Sequence, residues 1–101
     1  MHDFGIPEDL LLNIKNIFSK YNQINSVILY GSRAKGTFRE GSDIDITLIG
    51  NNITNSILNN VETEIDELDS PYLFDISIYQ QISSINLKDH IDRIGIEIYS
   101  K

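Results

Sequence analysis

Apolar residues recur along this chain with two different periods, and the switches between those periods lay out the elements. Leu10, Ile14, Ile17, Phe18 and Tyr21 share one helical stripe. Pro7, Glu8 and Asp9 precede the stripe, a proline suited to a first turn and two acids suited to the positive end of a helix dipole. This predicts a packing helix. The run 24–30, with Val27, Ile28, Leu29 and Tyr30, predicts a first strand ending at Gly31. A short helix is expected from Ser32 to about Thr37, stopped near Gly36, with a loop from Phe38 to Ser42. Over 43–49 the period becomes two: Ile44, Ile46 and Leu48 face one way, Asp43, Asp45 and Thr47 the other.

Asn51 and Asn52 turn the chain, and Ile57, Leu58, Val61, Ile65 and Leu68 then predict a helix over 55–68. Ser70-Pro71 breaks it. From Leu73 to Tyr79 the alternation returns, Phe74, Ile76 and Ile78 against Asp75, Ser77 and Tyr79, and predicts a third strand. Leu87, Ile91, Ile94 and Ile98 share a helical stripe, which predicts a last helix from Asn86 to Lys101. Ile85, Ile96 and Tyr99 widen its apolar face, which suits either packing against a sheet or contact with a partner chain.

Helix, strand, short helix, strand, helix, strand, helix is the order of an α+β fold with a small mixed β-sheet backed by helices. A chain of 101 residues implies a single domain, 1–101, with no room for a second core. A formal net charge of −7 argues against a nucleic-acid partner, since such binding rests on Lys and Arg neutralising phosphates. The absence of cysteine fits a reducing cytosol and excludes thiolate metal sites. The acidic start, MHDFGIPEDLLLN, has its longest apolar run at Leu10–Leu12, so neither a signal peptide nor a membrane anchor is expected. The expected location is cytoplasmic. His2 and His90 match no metal-ligand spacing and receive no role.

Candidate chemistry concentrates in GSRAKGTFREGSDIDITLIG, from Gly31 to Gly50. Gly31 and Ser32 stand where a strand ends and a helix turn begins, a position that lets backbone and hydroxyl approach a phosphate. Arg33, Lys35 and Arg39 lie around this turn, either as solvated surface charges or with at least one of them at a phosphate, and Arg33, directly after the serine, is the favoured one. Asp43 and Asp45 share a strand face. At about 5 Å and an effective dielectric of about 20, two carboxylates repel by roughly 3 kcal/mol. A divalent cation removes that cost, and Mg²⁺ is commonly held by carboxylates together with substrate phosphates.

The succession Gly31-Ser32, Ser42-Asp43-Ile44-Asp45 and a later acid, Asp75 in LFDISIY, resembles the DNA polymerase β-type nucleotidyltransferase superfamily. GSRAKG and SDID are most similar to its minimal nucleotidyltransferase (MNT) domains, many of them antitoxins encoded beside a HEPN-domain protein. The resemblance implies the polymerase β-type core and ATP as substrate. It implies two Mg²⁺ ions bound by Asp43, Asp45 and Asp75, with Asp75 activating an acceptor hydroxyl, and terminal phosphates held by Gly31, Ser32 and Arg33. For an antitoxin it implies transfer of AMP to a tyrosine of a HEPN-type ribonuclease. Two alternatives stay open: nucleotidylation of a small hydroxylated molecule, as aminoglycoside nucleotidyltransferases perform, and a non-catalytic module that blocks its partner sterically. A homo-oligomer is also open.

Overall fold

The computed structural model describes residues 4–101, and His2 lies outside them. Helix α1, Glu8–Ser19, begins behind Pro7 with Glu8 and Asp9 in its first turn, and it buries Leu10, Ile14, Ile17 and Phe18. Strand β1, Ile24–Tyr30, leads straight into α2, Gly31–Lys35, which Gly36 stops in the left-handed conformation at φ +80°. Strand β2 runs Ile44–Gly50, and helix α3, Asn55–Asp66, starts on the Thr54 hydroxyl, which accepts from the Ile57 N–H. Strand β3, Phe74–Ile78, is followed by a 3-10 turn, Tyr79–Gln81. Helix α4, Ile85–Ile94, is capped by Ser84, and β4, Ile96–Ser100, is the last element.

The four strands form one mixed sheet in the order β3-β2-β1-β4. β1 pairs antiparallel with both β2 and β4, whereas β2 and β3, joined through α3, run parallel. The fold is α+β. Alternation divides the sheet into two faces. Ile44, Ile46 and Leu48 turn one face into the core, where they meet Leu10, Ile14, Ile17 and Phe18 of α1 and Val61 and Ile65 of α3. Helix α4 lies on the other face over β1: Gly95, just past its end, is so close to the Ile28 side chain and the Ile91 carbonyl that a Cβ there would collide with both.

The C-terminal expectation is corrected. The last helix stops at Ile94, and Gly95 adopts an extended conformation that opens β4. Ile91, Ile94 and Ile98 satisfy a helical spacing, but Ile96-Glu97-Ile98-Tyr99 also alternates and is β-branched or aromatic at three of its four positions, a composition that suits a strand. The free edge of β1 decides between them: its unpaired N–H and C=O groups take a partner in β4, through Ser26–Ser100, Val27–Tyr99, Ile28–Glu97 and Leu29–Ile96. The broad apolar helix face therefore does not exist. Tyr99 packs on Phe18 instead, ring centroids 5.7 Å apart. Among the described residues no helix is long and apolar enough to cross a membrane.

Candidate active site

Three strands carry one row of functional groups across the sheet. Tyr30 of β1 pairs with Asp45 of β2, and Asp45 pairs in turn with Asp75 of β3. Directly paired residues point to the same side, so the phenol and both carboxylates share the face opposite the α1–α3 core. The next row is Ile28, Thr47 and Ser77. There the Ser77 hydroxyl donates to Thr47 Oγ1 at 2.9 Å, which satisfies a threonine wholly removed from solvent. Asp43 lies one residue before β2 and is exposed.

Asp45 feels this setting most. Its carboxyl is pushed above the ordinary aspartate value, first by burial and then by the charges of Asp75 and Asp43, while His90 and Arg33 pull the other way. The Tyr30 hydroxyl, 7 % exposed at the residue level, is likewise pushed up, by burial first; a hydrogen bond with Ser77 opposes this, and the Asp75 and Asp45 charges add to it. Like charge is thus concentrated and only partly compensated. Among the described residues, no three His, Cys, Asp or Glu side chains are gathered closely enough to hold a metal ion as a ready-made cage. The donor chemistry still fits Mg²⁺, a hard cation usually held by one or two carboxylates, with substrate phosphates and water completing its shell.

Gly31 meets this row at its edge. Its φ of +75° is open to glycine and strained for other residues, and a Cβ there would fall inside the Asp45 carboxylate. The turn and the aspartate are therefore in direct proximity. Ser32 is half-buried beside it. The Gly31 N–H donates to His90 Nε2 at 3.2 Å, and the His90 ring stands edge-on to Tyr30 with centroids 6.2 Å apart. His90, given no role by spacing, belongs to the site's surroundings. One signal pointed to it: with Leu87, Ile91 and Ile94 it lies on the apolar stripe of α4, where a polar ring needs a partner.

Arg33 is placed otherwise than expected. It is 2 % exposed, and its guanidinium donates to the Ser42 carbonyl from Nε at 3.2 Å and Nη2 at 2.8 Å, and to the Phe4 carbonyl from Nη1 at 2.7 Å. Its Cζ lies 5.0 Å from the Phe38 ring centroid and 5.3 Å from that of Tyr72. Two carbonyls and two rings thus enclose the guanidinium. Lys35 and Arg39 are exposed.

The site is therefore an acidic row beside a strand-to-helix glycine, on a mixed sheet in the order β3-β2-β1-β4 with helices on both faces. The family model "Polymerase beta, Nucleotidyltransferase" matches residues 12–101, and the chain belongs to that family. No curated protein matches it. Among solved structures it is similar to a toxin-antitoxin with AMP-PNP, at 18 % identity and TM-score 0.69, covering 95 % of this chain and 75 % of that one. It is also similar to the toxin-antitoxin MntA-HepT, at 14 % identity and TM-score 0.67, covering 94 % and 74 %. A third is the tri-AMPylated Shewanella oneidensis HEPN toxin in complex with MNT antitoxin, at 17 % identity and TM-score 0.60, covering 91 % and 73 %. At these identities the likeness is one of fold.

Proposed function

We propose that this chain is a metal-dependent adenylyltransferase that moves AMP from ATP to a tyrosine hydroxyl of a HEPN-type partner and so acts as its antitoxin. The observation that carries the reading is the Asp45–Asp75 pair, aligned across parallel strands beside Gly31. Family membership supports nucleotidyl transfer, and the fold shared with toxin-antitoxin proteins, one with AMP-PNP and one with an AMPylated toxin, supports the partner. The net charge of −7 favours a protein acceptor over a nucleic acid.

In this reading Asp43 and Asp45, with Asp75, hold Mg²⁺, which supplies charge neutralisation at the phosphates and a lowered pKa for the acceptor hydroxyl. The Gly31-Ser32 turn holds the terminal phosphates, the Gly31 N–H exchanging His90 for a phosphate oxygen. The cation role expected of Arg33 passes to exposed Lys35 or Arg39. Asp75 receives the acceptor's proton as the hydroxyl oxygen bonds to the α-phosphorus. The bond from that phosphorus to the oxygen bridging to the β-phosphate breaks, and pyrophosphate leaves with the electron pair.

The test is incubation with ATP, Mg²⁺ and the product of a neighbouring HEPN-type gene, followed by intact-mass measurement. One or more added AMP masses on the partner, lost with Asp75→Ala while the complex persists, are expected. A tight inhibitory complex with no added mass favours the steric module. Labelling of a small hydroxylated compound by the chain alone favours the antibiotic-type enzyme.

A further inference from the structure

We propose that Arg33 is a positioning residue for the metal-binding loop: it fixes the backbone that presents Asp43 and makes no contact with the nucleotide. The proposal rests on the reading of Asp43 and Asp45 as metal-holding groups. Asp43 lies outside β2 and is exposed, so no packing of its own side chain fixes it. Its neighbours on both sides are fixed instead. The Ile44 N–H donates to the Leu73 carbonyl at 2.9 Å, tying the residue after it to the start of β3. The Ser42 carbonyl, in the peptide that leads into Asp43, accepts two guanidinium hydrogen bonds from Arg33.

The rest of the loop is closed around the same point. Ser42 Oγ accepts from the Arg39 N–H at 2.9 Å, and the Ser42 N–H donates to the Arg39 carbonyl at 3.0 Å. Phe38, within that loop, covers the guanidinium on one side, and Tyr72, just before β3, also lies against it. The third guanidinium bond reaches Phe4, so the segment before α1 is drawn into the same joint. A planar, always-charged fork with several donors can satisfy two carbonyls while stacking on rings. Lysine, with one point of charge, cannot reproduce that geometry.

Positioning and phosphate contact predict different results for the full chain titrated with ATP, once with Mg²⁺ and once in EDTA. For Arg33→Lys and Arg33→Met, positioning predicts that Mg·ATP affinity falls roughly 10- to 100-fold, the usual cost of losing a group that orients a metal ligand. Metal-free ATP affinity should stay within about twofold, because the terminal-phosphate turn is untouched. Lysine should rescue little. Tyr72→Leu, which leaves the arginine in place and thins its enclosure, should show the same metal-selective loss in smaller degree, and it serves if both Arg33 variants fail to fold. Equal losses with and without Mg²⁺, rescue by lysine, or no change in Mg·ATP binding in the folded variants would each overturn the proposal. Asp45→Asn separates the two levels: if it abolishes Mg²⁺-dependent binding while the Arg33 and Tyr72 variants bind as wild type, only the positioning role fails. If Asp45→Asn also binds Mg·ATP normally, the metal-site reading fails and the positioning role with it.

Discussion

The two faces of β2 are made by the same seven residues and have opposite characters. On one, Ile44, Ile46 and Leu48 are wholly buried and packed by α1 and α3. On the other, Asp45 stands beside Asp75 with its carboxyl raised by burial and like charge. The first face stabilises the fold, and the Asp45–Asp75 row on the second works against it. A small protein has only about 5–15 kcal/mol of net stability, so a charged row of this kind persists where an apolar reverse side offsets its cost. The lesson is that stability and chemistry are separated here by strand alternation, a distance of one residue.

The largest expected effect is on the apolar face. Ile46→Ala should cost about 2–5 kcal/mol, since a fully buried isoleucine in a packed core leaves a cavity, and urea unfolding measures it. Next comes the boundary between the faces. Gly31→Ala should cost about 1–3 kcal/mol through its positive φ and its collision with Asp45. In a double-mutant cycle, Asp45→Ala should return part of that loss, and strict additivity would show that the collision is absent.

On the polar face the sign should reverse. Asp45→Asn in EDTA should stabilise by about 1 kcal/mol at neutral pH, the scale of partly exposed charge interactions. The pH dependence follows from the direction of the shift. A carboxyl raised in the folded state destabilises fully above its folded pKa, and the penalty disappears as pH falls through that value toward the ordinary aspartate value of 3.8. The gap in melting temperature between Asp45→Asn and wild type should therefore close on acidification. A gap constant from pH 7 to pH 4 would remove the electrostatic explanation.

The smallest effect lies away from both faces, where Tyr21 donates to Glu64 and Lys20 pairs with the same carboxylate. That hydrogen bond, with burial and the Glu64 charge, raises the Tyr21 phenol to about 12. Ultraviolet titration should bring it back toward 10.0 in Glu64→Gln. Wild-type stability contributed by this pair should be present below about pH 10 and decline as pH rises toward 12. At neutral pH the substitution should cost about 1 kcal/mol or less.

Period two made β2 and β3 legible in the sequence, and with them the placing of Asp45 and Asp75 on matching sides of neighbouring strands. Helical spacing made α1 and α3 legible, and Gly36 marked the end of α2. What escaped depended on partners distant in sequence. β4 fits both periods over its few residues, and only the empty edge of β1 distinguishes them. Arg33 stands next to the glycine-serine turn in sequence, yet its side chain runs back to Ser42 and Phe4, which no local pattern encodes. Tyr30 reads as one more apolar strand residue until its opposite number is known to be Asp45.

The pairing of β2 with β3 also acts as an error check. Asp45 meets Asp75 in the same ladder that sets Ile46 against Ile76 and Leu48 against Ile78. A slip of one residue in β3 would turn Asp75 toward the core and Ile76 and Ile78 toward water. Such a chain would lose its interior along with its carboxylate pair. The register that fills the core is therefore the one that carries the two acids in line.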